Sequence, residues 1–382
     1  MILGSATPSL ESKFNAFNKK YGYVKLTEKY GASAPPEIKC IDMKIYYKAN
    51  KMKGLLTPEL YNAIQEKLLL GQQILLFQNR RGYAPIIECV TCGHIPLCRN
   101  CDVSLTFHQF TNSLKCHYCG FSQKNQKKCL KCNSVKIDMK GYGTQQIEEQ
   151  IKSFFPSAKV DRMDWDTTRG KYSVDKIFEK FENHQIDILI GTQMVTKGLD
   201  FKNIGLVGVI NADNILFFPN FRANEKAFQI LTQVAGRAGR SKIKGSVLIQ
   251  TFSSNNKIFD LIKKQNHDGF YKKEIAERNQ FNYPPYYRLI KISIKSRDVE
   301  TLIKASSWLF QSLSNGFTYP IYGPFDPHVS RIKNEFIKQI LIKYPNTNVR
   351  NKIKRHLMKS IESFESIAKF RVIKLNIDID PN

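Results

Sequence analysis

Eight of the nine cysteines fall within residues 89–132, in four Cys-x-x-Cys pairs: Cys89/Cys92, Cys98/Cys101, Cys116/Cys119 and Cys129/Cys132. A Cys-x-x-Cys turn presents both sulfurs to one side, so each pair can grip a tetrahedral metal ion from two directions. Eight thiolates in four pairs then make two four-coordinate sites with no ligand left over. Met1-Ile2-Leu3-Gly4-Ser5-Ala6-Thr7 lacks the basic-then-apolar layout of a secretion signal, so a reducing compartment is expected and disulfides are not. All-thiolate sites leave no position for water or substrate, which makes two structural zinc ions the expectation. Each could contribute about 10–16 kcal/mol of binding free energy to the folding of a segment with little core of its own.

Spacing favours a nested arrangement. The stretch 93–97 is awkwardly short for closing one site, whereas 102–115 is long enough for a hairpin that returns the third pair to the second. Cys98, Cys101, Cys116 and Cys119 then form an inner site, and Cys89, Cys92, Cys129 and Cys132 an outer one. With eight cysteines available, His94, His108 and His117 are read as surface residues or residues packed around the sites. Cys40 stands apart as an ordinary small apolar residue.

A chain of 382 residues, 42% hydrophobic, can bury a sizeable core and is expected to divide into two or three units. It holds no run of about 18 uninterrupted apolar residues, and a cytoplasmic protein is the expectation. The net charge is +26. Such an excess suits a polyanionic partner, because Lys and Arg that neutralise phosphates release counterions. Lys-rich composition amid many Asn and Ile residues is also what an AT-rich genome would encode, so charge alone leaves both readings open.

Residues 24–45 alternate weakly around Ala34-Pro35-Pro36 and suit an extended linker. A helical stretch over Pro58–Leu70 leads to the apolar run Ile74–Phe77. Beyond the cysteines, helices are expected near 145–155, 174–183 and 223–235, and strands near 159–163, 186–190, 206–210 and 246–251. Strands alternating with helices predict an α/β domain with a parallel sheet covered on both faces, and the cysteine segment is an insertion into it. A basic helical stretch (257–281) and Tyr283-Pro284-Pro285-Tyr286 mark a boundary. The remainder reads strand (288–295), helix (298–314), an extended piece near 320, strand (336–343), helix (349–366) and strand (370–379), a ferredoxin-like α+β order. Tyr283, Tyr286 and Tyr287 could stack on bases, but their proline-flanked setting favours packing at a domain joint.

Two segments carry chemistry. Gln233, Arg237 and Arg240, within Thr232–Arg240, are spaced i, i+4, i+7. That spacing puts them on one helix face, where two guanidiniums suit a triphosphate. Directly after the strand at 186–190, the loop Gly191–Asp200 offers Thr192, Lys197, Gly198 and Asp200 where open parallel sheets bind ligands. Taken alone, each also reads blandly, as a basic helix end and a polar turn.

Together these segments resemble motifs V and VI of superfamily-two helicases, and Gly4-Ser5-Ala6-Thr7-Pro8-Ser9 looks like motif III. Within that superfamily the chain resembles PriA, the bacterial primosomal replication-restart family. The resemblance rests on Gly4–Glu11, Asn79–Pro85, the four cysteine pairs, Gly141–Thr144, Asp164–Thr168 and Asp378–Pro381. It implies a RecA-like second helicase lobe with an inserted two-zinc module in the nested pairing, and a ferredoxin-like (S10-like) C-terminal domain. On it, 1–11 is a remnant of the first lobe, 12–54 a linker, 55–88 and 133–255 the second lobe, 89–132 the zinc module, 256–282 a helical linker and 283–382 the C-terminal domain.

The resemblance also implies an ATP- and Mg2+-dependent 3′-to-5′ DNA helicase that binds abandoned forks and reloads the replicative helicase. Its partners would be forked or single-stranded DNA, primosome proteins and single-strand binding protein, met as a monomer in the cytoplasm at the nucleoid. Gln233, Arg237 and Arg240 would face the γ-phosphate. Gly191, Thr192, Lys197, Gly198, Asp200, Ser5 and Thr7 would couple nucleotide state to DNA. The sequence contains neither a Gly-x-x-x-x-Gly-Lys-Ser/Thr loop nor an Asp-Glu-x-His box. The expectation is therefore that this polypeptide alone neither hydrolyses ATP nor unwinds DNA, and acts as half of a helicase. The alternative is a non-catalytic, zinc-stabilised DNA-binding and assembly platform.

Overall fold

The structure, a computed structural model, describes residues 2–26, 36–78, 86–108, 112–126, 128–140, 143–164, 167–168, 173–196, 203–238 and 245–381. The chain begins with α1 (Leu10–Phe17), β1 (Glu37–Asp42), α2 (Met43–Lys48), α3 (Pro58–Leu69) and β2 (Gln73–Phe77). Five short strands follow across the cysteine segment: β3 (Ile86–Cys89), β4 (Thr106–His108), β5 (Ser113–Lys115), β6 (Ser122–Lys124) and β7 (Ile137–Lys140). Next come α4 (Thr144–Phe154), β8 (Val160–Met163), α5 (Ser173–Glu182), β9 (Ile188–Gly191), β10 (Ile204–Val209), α6 (Asp213–Leu216), α7 (Ala223–Ala235) and β11 (Ser246–Thr251). Helices α8 (Lys257–Lys263) and α9 (His267–Gln280) precede β12 (Tyr287–Ser296), α10 (Val299–Ser314), β13 (Ile321–Phe325), β14 (Arg331–Ile332), β15 (Glu335–Pro345), α11 (Arg350–Ser366) and β16 (Lys374–Ile379). Two units result: residues 1–82 with 142–275, and residues 83–141 with 276–382.

In the first unit six strands form one parallel sheet in the order β1-β11-β10-β2-β9-β8. The central strands are apolar throughout because both faces are covered. Leu75, Phe77, Leu189 and Val207 enter one core with Phe181, Leu231 and Phe259 from the helices of that side. Ile74, Leu76, Ile188 and Leu206 enter the other with Leu60, Ile64 and Ile147. The split follows from the two-residue period of a strand. Gly208 stands in the middle of β10 because a Cβ there would lie 2.8 Å from Leu76 Cδ2 and 2.9 Å from Leu60 Cδ1. Helix α3 starts where its sequence says it should: Thr57 caps it by accepting from Leu60 N–H, and Pro58 occupies the first turn. This is the α/β lobe with helices on both faces.

Three expected boundaries are corrected. Residues 12–54 are not simply a linker, since β1 is the edge strand of the sheet, in register with β11 from Glu37↔Ser246 to Asp42↔Thr251. As an edge strand it is only partly buried, with Ile38 and Cys40 against one core and Ile41 in the other, and that weakens the hydrophobic pattern that reveals a strand. Residues 256–282 are two helices, separated where Gln265 takes φ 49°. Ile258, Phe259, Ile262, Phe270 and Tyr271 of these helices are buried in the lobe's own core. Finally, β3 and β7 are not strands of the lobe; they pair antiparallel as a separate ribbon, from Ile86↔Lys140 to Cys89↔Ile137.

In the second unit β12, β13, β15 and β16 form an antiparallel sheet in the order β13-β15-β12-β16. Ile290, Ile292, Ile294, Ile340 and Ile342 bury one face under Leu302, Leu309 and Leu313 of α10 and Ile353, Leu357 and Phe364 of α11. This is the ferredoxin-like order, with β14 added as a small hairpin on β15. The last strand starts at Lys374 rather than 370, because a 3-10 turn at Ala368–Phe370 stacks the Phe370 ring on Phe364 at 5.0 Å. At the Tyr283–Tyr286 joint, the Lys343 ammonium lies 3.6 Å from the Tyr283 ring centroid and donates to the Phe281 carbonyl. Tyr283 is thus packed on a cation of its own unit.

Candidate metal centres and the motif residues

The cysteine pairs come together in the nested order. Cys89, Cys92, Cys129 and Cys132 form one group and Cys98, Cys101, Cys116 and Cys119 the other, with the sulfurs of each group within 4.8 Å of one another. Sγ–Sγ separations are 3.5 Å for Cys89–Cys132, 3.7 Å for Cys92–Cys129 and 3.5 Å for Cys98–Cys119. Zn–S bonds of about 2.3 Å put tetrahedral sulfurs roughly 3.8 Å apart, so both sets fit zinc, and the spacing is far too long for disulfides. Among the described residues neither group includes a histidine. His94 instead offers its backbone carbonyl to Cys89 N–H, and His117 is exposed.

Local turns explain why each pair points inward. The N–H of Cys89, Cys116 and Cys129 donates to the carbonyl of His94, Phe121 and Ser134, five residues on. In the same three turns the residue after the second cysteine donates back to the first: Gly93 to Cys89, Gly120 to Cys116 and Asn133 to Cys129. That closure needs a left-handed residue, and Gly93, Gly120 and Asn133 have φ of 68°, 80° and 56°. Backbone N–H groups also reach the sulfurs themselves, from Asn100 to Cys98, Phe121 to Cys119 and Lys131 to Cys129, each at 3.4 Å. Desolvation opposes ionisation of Cys119, but the Phe121 N–H and the Cys98, Cys116 and Cys101 thiols outweigh it and bring its pKa down to about 7. Desolvation, aided by the neighbouring thiols, pushes Cys98 up to about 12. Four thiols held this closely favour a bound cation that would let all of them ionise. Cys40, by contrast, sits in β1, half-buried against the lobe core, with desolvation pushing it up to about 11.

The other expected site residues lie in the first unit. Thr7 is buried, and its Oγ1 accepts from Gln233 Nε2 at 2.8 Å. Ser5 Oγ accepts from the Thr7 N–H at 3.1 Å. The α-helix bearing Gln233 ends at Ala235, so Arg237 does not continue its face. Arg237 sits buried in a tighter turn, its N–H donating to the Val234 carbonyl. Gly191 ends β9 where a Cβ would lie 2.1 Å from Val195 Cγ1, so only glycine lets the 3-10 turn Gln193–Thr196 fold back. Thr192 N–H donates to the Met163 carbonyl of the neighbouring strand. Lys197, Gly198, Asp200 and Arg240 lie outside the described residues, as do Asn79–Pro85 and Gly141–Tyr142.

Sequence reasoning missed how α7 holds residues 7–11. Glu225 accepts from Leu10 N–H at 2.8 Å, Arg222 pairs with Glu11, and Gln229 donates to the Thr7 carbonyl. Arg222 at the N-cap and Glu225, Gln229 and Gln233 along the helix recur every three or four residues, a polar stripe that was visible in the sequence. Helix α1 is tied further by Asp268, which pairs with Lys13 at 2.7 Å and Lys25 at 2.9 Å. The bond from Lys13, then that from Lys25, holds the Asp268 carboxyl at about 2. A carboxylate depressed in the folded state stabilises above its unfolded pKa of about 3.9, and that contribution is lost as pH falls toward 2. Thermal melts should therefore show Asp268→Asn less stable than the parent at pH 6 by under about 1 kcal/mol, since Asp268 is half exposed. The gap should close as pH falls from 4 to 2; a constant gap would mean the carboxyl is not the source.

Similarity to known proteins bears on both halves of this picture. The model for the PriA DNA helicase Cys-rich region domain matches residues 98–124, and that for the helicase conserved C-terminal domain matches 142–242. The model for the primosomal protein N C-terminal domain matches 279–382. The replication restart protein PriA of Bacillus subtilis (strain 168) is 37% identical over 383 residues, a match covering 100% of this chain and 47% of the relative. That of Synechocystis sp. is 36% identical over 394 residues, covering 100% and 46%, and that of Borreliella burgdorferi 39% over 316 residues, covering 83% and 46%. The chain thus spans about half the length of the curated relatives it matches. With two four-cysteine clusters, a parallel-sheet lobe and a ferredoxin-like domain in one sequence, the chain belongs to the PriA replication restart family, as a C-terminal portion of it.

Proposed function

We propose that the chain supplies the second motor lobe, zinc module and C-terminal domain of an ATP-driven 3′-to-5′ DNA helicase that binds abandoned replication forks and helps reload the replicative helicase. The observation that carries this reading is the 2.8 Å bond from Gln233 to Thr7. It joins a residue of the helix expected to face ATP to one of the Ser-Ala-Thr segment expected to relay nucleotide state. On this reading Arg237 and Arg240 stabilise charge that builds on the γ-phosphate, while Gln233 reports its loss to Thr7. Gly191, Thr192, Lys197, Gly198 and Asp200 form the loop that passes nucleotide state to DNA. The net charge of +26 suits forked or single-stranded DNA as partner. Primosome proteins and single-strand binding protein would meet the protein as a monomer at the nucleoid in the cytoplasm, with ATP and Mg2+ as its fuel.

The test is a chimaera in which this chain replaces the matching half of the Bacillus subtilis relative. DNA-stimulated ATP hydrolysis is expected, and Arg237→Lys should lower it by about a thousandfold, because an ammonium cannot reproduce the guanidinium fork. Melting of the chimaera and its variant should coincide. A folded chimaera without DNA-stimulated turnover, or one indifferent to Arg237→Lys, would overturn the reading.

A further inference from the structure

One of the four metal-binding turns departs from the other three. Where Gly93, Gly120 and Asn133 close their turns, the equivalent residue is Asp102, which is absent from the positive-φ residues. Its N–H does not return to its own first cysteine; it donates instead to the carbonyl of Arg331, in the β14–β15 hairpin of the C-terminal domain, at 2.9 Å. Further bonds run between the same two segments. Lys333 N–H donates to Cys101 Sγ at 3.3 Å, and Asn334 N–H to the Asn100 carbonyl at 2.8 Å. The Asp102 carboxylate accepts from Arg331 Nε and from Ser330 Oγ, each at 2.9 Å. Ile332 packs on the apolar cluster formed by Ile87, Cys98, Cys101, Leu105, Leu114 and Cys116. The hairpin is built for this contact. Lys333 and Asn334 take φ of 53° and 62°, the two left-handed positions of a tight two-residue turn, between the paired Ile332 and Glu335.

We propose that this hairpin is the missing half of the second metal-binding turn, so that zinc at Cys98, Cys101, Cys116 and Cys119 and docking of the C-terminal domain hold each other in place. The physical reason is that the Cys98–Cys101 turn keeps the bond from Cys98 N–H to the Val103 carbonyl but not the return bond to Cys98, and Cys101 takes an N–H bond from Lys333. A thiolate so supported is a better-placed ligand, and a ligand fixed by metal is a better-placed acceptor. Such coupling is reciprocal: whatever the hairpin adds to zinc retention, zinc must add to docking. The outer set, whose two turns each close on Gly93 or Asn133, has no such dependence on the hairpin. The proposal concerns the chain's own folding, and holds whether or not the protein acts on DNA.

The experiment follows zinc release from the full zinc-loaded chain into excess chelator, together with hydrogen exchange at the Lys333 and Asn334 amides. Asn334→Val forces a branched residue into a left-handed position, and Arg331→Ala removes the partner of Asp102 at a partly exposed site. Each should speed the loss of one zinc per chain at least tenfold and leave the other at its parent rate. Asn334→Gly, which keeps the turn, should release both at the parent rate. In the converse arm, Cys116→Ser removes a ligand without touching the hairpin, and the Lys333 and Asn334 amides should then exchange at least tenfold faster. Unchanged release of both zinc ions in Asn334→Val and Arg331→Ala, or hairpin amides that stay protected in Cys116→Ser, would overturn the proposal.

Discussion

Cys116→Ser is expected to reduce the zinc content of the purified chain from two ions to one and to unfold the inner half of the cysteine segment. Cys116 is buried beside Cys101 and Leu114, and its set has four ligands with none in reserve. The remaining three thiols cannot complete a tetrahedral all-thiolate site, and metal binding is what folds a segment this small. With about 10–16 kcal/mol of zinc binding at stake, the affinity loss should be complete at ordinary metal concentrations. Metal analysis reads the first part directly. Limited proteolysis reads the second, with new cleavage across β4–β6 while the six-stranded lobe, a separate unit, stays intact. Two retained zinc ions with a parent-like digestion pattern would contradict the assignment of Cys116 as a ligand.

Phe259→Ala should destabilise the lobe by about 3–5 kcal/mol, the usual cost of deleting a fully buried aromatic ring. Phe259 has no exposed surface and packs in the core shared with Leu75, Val207 and Leu231. Had residues 256–282 been a linker, the same change would cost nearly nothing. Lys264→Ala, at the exposed end of α8, provides that comparison and should stay within about 0.5 kcal/mol of the parent. Denaturant unfolding followed by far-UV circular dichroism separates the two, in the transition assigned to the lobe. Equal effects at both positions would return α8 to the status of a connector.

These two experiments mark how far the residues could be read before the fold was known. The central strands announce themselves as short apolar runs, as Ile74–Phe77 does, because a strand buried on both faces has no polar side to hide it. The edge strand β1 was missed for the opposite reason: Glu37–Asp42 is only partly buried, so its pattern resembles a linker. Helices α8 and α9 looked like a basic connector because charged residues of both signs are interspersed along them, while the few buried apolar residues that dock them are spread thinly. Of the expected motif residues, Thr7 and Gln233 meet across the chain, whereas the polar stripe of α7 that binds the segment around Thr7 escaped notice.

The cysteine segment shows the division most clearly. Its residues determined by themselves that two four-thiolate sites would form and which pairs would share them, because chelation and loop closure act over short stretches of chain. They even carried the exception, an Asp102 where the other turns have Gly93, Gly120 or Asn133. What that exception is for was decided only in the tertiary structure, where Arg331 and Lys333, more than two hundred residues away, supply the bonds the turn does not make. Such a partnership has no local signature: it depends on a domain that folds around its own core of isoleucine and leucine and presents a tight hairpin at the right edge. Short-range geometry chooses the ligands, and long-range packing chooses what holds them.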